Sequence, residues 1–174
     1  MPMVPFFSKV GERAFKEMRT LVVMKGRALP PGPYGLLEFY CDEVACDCRR
    51  VLFHVIRPTG DKVWATINFG WETPAYYRTW SSDGEMAEEM AGASLEPFQP
   101  QTKYSAELLA LFVDYVQPNA AYIARLKKHY AEVKRLGPRG TRHALPSADQ
   151  AKARKRTRRR NTGGPYNNPS DLGR

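Results

Sequence analysis

The chain has 174 residues, 43% of them hydrophobic, and a formal net charge of +9, which suits one ordinary domain with some length left over. No apolar run approaches the roughly 18 to 20 residues of a membrane span. The opening MPMVPFFSKVGERAFKE has no basic stretch ahead of its short, proline-broken apolar patch, so no signal peptide is expected and a cytoplasmic chain with reduced thiols is.

Residues 8–19 are compatible with a short helix that turns Val10, Phe15 and Met18 inward. TLVVMK (20–25) is a candidate strand, RALPPGPYG (27–35) a loop, and 34–41 a second strand rich in aromatic and aliphatic residues. RVLFHVIR (50–57) alternates, with Val51, Phe53 and Val55 on one side and Leu52, His54 and Ile56 on the other. PTGD (58–61) reads as a turn, and 62–69 alternates again, so the two strands predict a β-hairpin. An aromatic, turn-rich stretch follows, in which Pro74 suits a helical turn, 85–91 a short helix and 94–101 an irregular crossing.

Two helices close the ordered part. Leu108, Leu109, Phe112, Tyr115 and Val116 follow the 3.6-residue period, with Ser105 as cap. Tyr122, Ile123, Leu126, Tyr130 and Val133 follow it again, with Pro118 at the start and Gly137 and Pro138 as the stop. Strands first and helices after predict an α+β domain: a mostly antiparallel sheet of about four strands, followed by a C-terminal helical pair packed on it. The domain is placed at 1–137 and a basic, disordered tail at 138–174.

All three cysteines lie in CDEVACDCRR (41–50). Cys46 and Cys48 flank one residue, so an extended segment sends both side chains to the same face, and Cys41 closes a short loop toward them. Thiolates bind Zn2+ at about 2.3 Å, and structural zinc sites are four-coordinate and rich in sulfur. Arg49 and Arg50 beside them favour the ionised thiol. His129 is the leading histidine for the fourth place, with His143, Asp42, Glu43, Asp47, a water or a second chain as alternatives. His54 lies six residues past Cys48 along a strand, roughly 20 Å away at about 3.3 Å per residue. Neighbouring free cysteines and thiol redox chemistry are the other readings of the cluster.

The charge is uneven. Residues 138–174 hold ten Lys and Arg against two acids, whereas residues 1–137 hold 17 against 16. KARKRTRRR (152–160) carries seven cations, Lys152, Arg154, Lys155, Arg156, Arg158, Arg159 and Arg160. Such a run displaces counterions from a phosphate backbone and binds nucleic acid with little sequence preference. An anionic membrane surface or a solubilising end are the alternatives. Trp64, Trp71, Tyr76, Tyr77 and Trp80 gather near the end of the hairpin, where core and lid roles are expected ahead of base stacking. No nucleophile elbow, P-loop, dinucleotide loop or metalloprotease motif occurs, which weakens an enzymatic reading.

YGLLEFYCDEVACDCRRVLFHVI with VWATINFGWE, then LEPFQPQ (95–101) and RLKKHY (125–130), resembles a family of uncharacterised bacterial proteins that share a C-x4-C-x-C-R-R-V motif. Some members are similar to proteins bearing the SEC-C zinc motif, whose C-P-C pair the C-D-C here is similar to. The resemblance implies that Cys41, Cys46, Cys48 and His129 belong to one recurring feature. The functional expectation is a zinc-binding, non-enzymatic domain whose basic tail contacts nucleic acid or a ribonucleoprotein. A metal-dependent hydrolase with an open fourth position and a metal-free interaction module are the competing expectations.

Overall fold

The computed structural model describes residues 3–58, 60, 62–81 and 83–138. These fall within the first of two units, Met1–His143. The seven basic positions from Lys152 to Arg160 and His143 lie outside the described residues. The elements run β1 (Met3–Pro5), α1 (Phe7–Val10), α2 (Arg13–Lys16), β2 (Arg19–Val23), β3 (Gly32–Cys41), β4 (Arg50–Ile56), β5 (Val63–Gly70), α3 (Pro74–Tyr77), α4 (Gly84–Met90), β6 (Gly92–Leu95), α5 (Ser105–Tyr115) and α6 (Ala120–Leu136).

The strands form one antiparallel sheet in the order β1-β3-β4-β5-β6, with β2 also paired to β3. The long strand β3 organises it. Its residues 35–39 pair with β4, from Gly35↔Ile56 to Phe39↔Leu52. Its opposite edge is shared end to end by β1, from Met3↔Cys41 to Pro5↔Phe39, and by β2, from Arg19↔Leu36 to Val23↔Gly32. Between them the chain leaves the edge through α1 and α2, and the Phe6 amide closes the gap by donating to the Glu38 carbonyl at 2.9 Å. The hairpin β4–β5 follows the predicted alternation, from Arg50↔Gly70 to Ile56↔Val63.

The class is therefore α+β with an antiparallel sheet, which has six strands among the described residues where about four were expected. The additional strands β1 and β6 are three and four residues long, too short for an alternation to show. They are strands because the edges of β3 and β5 present unpaired backbone groups to them. The single helix expected over 8–19 is instead two short ones, separated at Gly11, whose φ of 65° suits glycine. Phe15, expected inward, is 41% exposed.

Alternation along the strands gives the sheet two different faces. One carries Tyr34, Leu36 and Tyr40 of β3, Val51, Phe53 and Val55 of β4, and Ala65, Ile67 and Phe69 of β5, all buried in the main core. Phe112 of α5 meets the rings of Phe53 and Phe69 with centroids 5.2 and 5.6 Å away. Leu126 and Val133 of α6 are fully buried in the same core. Tyr115, expected on the apolar stripe, is exposed.

The helix starts differ from the sequence reading. Ser105 accepts from the Thr102 amide at 2.8 Å and donates to the Trp64 carbonyl at 3.2 Å, so it ties α5 to β5 and does not act as the cap. Asn119, not Pro118, opens α6: its Oδ1 accepts from the Tyr122 amide at 3.0 Å, the usual N-cap bond. Among the described residues no helix is long and apolar enough to cross a membrane.

A charged residue sits on the core face of β3. Glu38 is 5% exposed and accepts from Tyr40 Oη at 2.8 Å, from Tyr122 Oη at 3.2 Å and from His129 Nδ1 at 2.7 Å. Buried carboxylates persist only with such partners. Burial, followed by the charge of Glu38, pushes both tyrosine hydroxyls well above their ordinary value, so they remain donors.

Candidate metal centre

Cys41 ends β3, and Cys46 and Cys48 lie in the loop that leads into β4. Their sulfurs all fall within 4.8 Å of one another. The residues are 0%, 8% and 3% exposed, none is in a disulfide, and Met3 and Tyr130 pack against them. Tetrahedral Zn–S bonds of about 2.3 Å put sulfurs roughly 3.8 Å apart, so the cluster has the donor type and compactness a zinc ion takes. Among the described residues no carboxylate or imidazole joins the three sulfurs.

Side-chain bonds from distant elements hold the loop. The Cys46 amide donates to the Glu43 carbonyl at 3.1 Å, which makes the turn. Tyr130 Oη of α6 donates to the Cys46 carbonyl at 3.3 Å and accepts from the Arg49 amide at 3.4 Å. Tyr77 Oη of α3 donates to the Arg49 carbonyl at 2.9 Å, and Tyr76 Oη to the Asp47 carbonyl. Arg49 has a φ of 46°, a left-handed conformation that costs an L-residue about 1–2 kcal/mol. Two hydrogen bonds to its own backbone, each worth about 1 kcal/mol, offset that. Gly70 makes room for the clamp. A Cβ there would lie 2.0 Å from the Met90 carbonyl oxygen and 2.5 Å from Tyr77 Oη.

The Asp42 and Asp47 carboxylates beside the cysteines are turned to other partners. Asp42 pairs with buried Lys9 at 2.9 Å, and Lys9 Nζ also donates to the Gly137 carbonyl at 2.6 Å. Asp47 takes both Nε and Nη2 of Arg49, each at 3.0 Å. Lys134 Nζ donates to the Glu43 carbonyl at 2.7 Å. Arg49 is thus spent on Asp47 and, at 3.4 Å, on Glu72, while Arg50 donates from Nε to Asn68 Oδ1 at 3.2 Å. The sequence assigned both arginines to the thiolates; the structure gives them these oxygen partners.

The expected histidine ligand is engaged elsewhere. His129 is 5% exposed, with Nδ1 2.7 Å from Glu38 Oε2 and Nε2 3.0 Å from Glu17 Oε2, and Phe6 stacks on its ring at 4.2 Å. Both ring nitrogens face carboxylates, and neither joins the three sulfurs. The cause lies in helical phase: Tyr130, one residue on, faces the cysteines, and His129 faces the core side of β3. His54 sits on β4 against Phe39, ring centroids 4.3 Å apart, and burial lowers its pKa.

Burial raises the thiols. Cys46 is pushed up first by desolvation, and Cys48 by desolvation and then by its two cysteine neighbours, to about 12. Near neutral pH these two remain protonated unless a cation replaces the protons, as a metal does on binding thiolates. The clamp residues Tyr76, Tyr77, Tyr130, Lys9 and Lys134 carry no sequence signal for this role, because each reaches the loop from another element. Comparison of the chain with protein-family models, with curated proteins and with solved structures finds no match.

Proposed function

We propose that this chain is a non-enzymatic zinc-binding domain whose basic tail contacts nucleic acid or a ribonucleoprotein. The single observation that carries the metal reading is the convergence of three buried sulfurs within 4.8 Å. A soft, all-sulfur set of this kind selects zinc over the hard cations. Bound there, the ion ties the end of β3 to the start of β4. The loop that holds the cysteines is already clamped by tyrosines from α3 and α6, which suits a structural centre. The C-x4-C-x-C-R-R-V resemblance supports the same reading.

X-ray absorption and elemental analysis of the purified full chain test it. The expected result is about one zinc per chain, with three sulfurs and one lighter ligand in the shell. Protein that takes up no zinc, or zinc without sulfur neighbours, rejects the reading. One observation favours a metal-dependent hydrolase instead: no fourth ligand stands among the described residues, and an open position can hold a reactive water. Against it, Asp42 and Asp47, the nearest candidate bases in sequence, are held by Lys9 and Arg49. An exchangeable oxygen in the shell favours the hydrolase, and a fixed nitrogen excludes it.

The tail reading rests on the seven cations of 152–160. Retention on duplex DNA or RNA should fall steeply with salt and vanish when residues 138–174 are deleted. A truncated body that binds as well as the full chain removes the tail from the proposal.

A further inference from the structure

The sheet face opposite the core is not apolar throughout. Residues two apart on β4 line it with Arg50, Leu52 and His54, and with Phe39 and Asn68 from the neighbouring strands they enclose a groove of about 420 Å³, with Glu96 on its far side. Small-molecule sites have volumes of roughly 300–1,000 Å³, with an apolar floor and a few placed polar groups. Here Phe39 and Leu52 supply the apolar part, and Arg50, Asn68 and Glu96 form a polar row.

That row is directional. Arg50 Nε donates to Asn68 Oδ1 at 3.2 Å, and Asn68 Nδ2 donates to Glu96 Oε2 at 3.2 Å. Asn68 is buried, at 7% exposure, so its amide fixes the guanidinium on one side and the carboxylate on the other. A guanidinium has five N–H donors. Among the described residues Arg50 uses only Nε, and it makes no ion pair. The pair of Nη groups left over is the edge that grips a carboxylate with two parallel bonds. Glu96 likewise has an oxygen to spare for a donor.

We infer that this groove binds a small planar organic acid, its carboxylate on the Nη edge of Arg50, its ring over Phe39 and Leu52, and a hydroxyl or amine at the opposite end on Glu96. A phosphate dianion is disfavoured because Glu96 adds a negative charge to the same groove. Met3 and Cys48 also line this groove, so the titration is run on zinc-free and on zinc-loaded protein, with the same saturable shifts expected in both, and its variants leave the cysteines unchanged.

The probe is para-hydroxybenzoate, titrated into the full-length protein while the side-chain signals of Arg50 Nε and Asn68 Nδ2 are followed by NMR. Saturable shifts are expected, with binding weakened at least tenfold for para-hydroxybenzamide, which lacks the charge. Arg50→Gln should weaken para-hydroxybenzoate by the same factor at unchanged melting temperature. Glu96→Gln, which keeps the groove intact, should weaken para-hydroxybenzoate several-fold and leave or improve benzoate. Equal binding of acid and amide, or of inorganic phosphate and para-hydroxybenzoate, overturns the assignment. So does the absence of any saturable shift up to about 20 mM, a level at which even fragment-sized ligands register.

Discussion

Cys48→Ser is expected to lose the metal and, with it, about 3 kcal/mol of stability. A ligand that binds only the folded chain contributes about 2.7 kcal/mol when present at a hundred times its Kd. In a domain of this size each kcal/mol moves Tm by roughly 3–4 °C, so a fall of about 10 °C follows. The fold itself should survive, because the main core of Tyr34, Phe53, Ile67, Phe112 and Leu126 is a separate cluster from the cysteines. Thermal melts with parallel metal analysis measure both quantities. A Cys48→Ser protein that purifies with full metal and an unchanged Tm sinks the metal centre.

The same thiols give a pH signature whose sign depends on the metal. Without an ion, the folded state holds the Cys48 proton up to about 12, against an ordinary value near 9. The folded chain then binds the proton more tightly than the unfolded one, so this stability is complete below pH 9 and drains away as pH rises toward 12. With zinc bound the thiols are already deprotonated, and protons compete with the ion as pH falls. Chelator-treated protein should therefore lose stability on the alkaline side, and zinc-loaded protein on the acid side. Identical profiles for the two preparations remove the metal from the account.

Glu38→Ala is expected to be the most damaging single change in the core, at about 3–5 kcal/mol. The carboxylate accepts from Tyr40, Tyr122 and His129 together, and its loss leaves three buried donors without an acceptor, each costing about 1–3 kcal/mol. It also leaves a cavity where β3 meets α6. Glu38→Gln retains one acceptor oxygen and should lose less. Urea denaturation distinguishes the two, and a loss below about 1 kcal/mol for the alanine variant shows that the network is not what pins α6 to the sheet. Zinc content should be unaffected in either variant that folds, because none of these groups touches a cysteine.

Glu38 also shows where reading a sequence stops. On β3 it appears as one polar residue in an otherwise apolar strand, and nothing local says that it points into the core. Its three partners sit two, 84 and 91 residues away. His129 is the matching case. As a histidine on the last helix it is a reasonable metal ligand by residue type, and only the rotation of α6 against β3 decides that Tyr130 and not His129 faces the thiols. The two short edge strands were equally hidden, since three or four residues carry no measurable period.

What the chain determined by itself is what short-range periodicity and spacing encode. The β4–β5 hairpin follows from alternation at period two, the last two helices from the 3.6-residue stripe, and the closeness of the three cysteines from their spacing within 41–48. Tertiary structure alone decided the partners of those side chains: the tyrosine clamps on the cysteine loop, the lysine on Asp42, the carboxylates on His129, and the polar row from Arg50 to Glu96. Those contacts join residues tens of positions apart. They depend on how a sheet and several helices are rotated against one another, a quantity that no local pattern of residues contains.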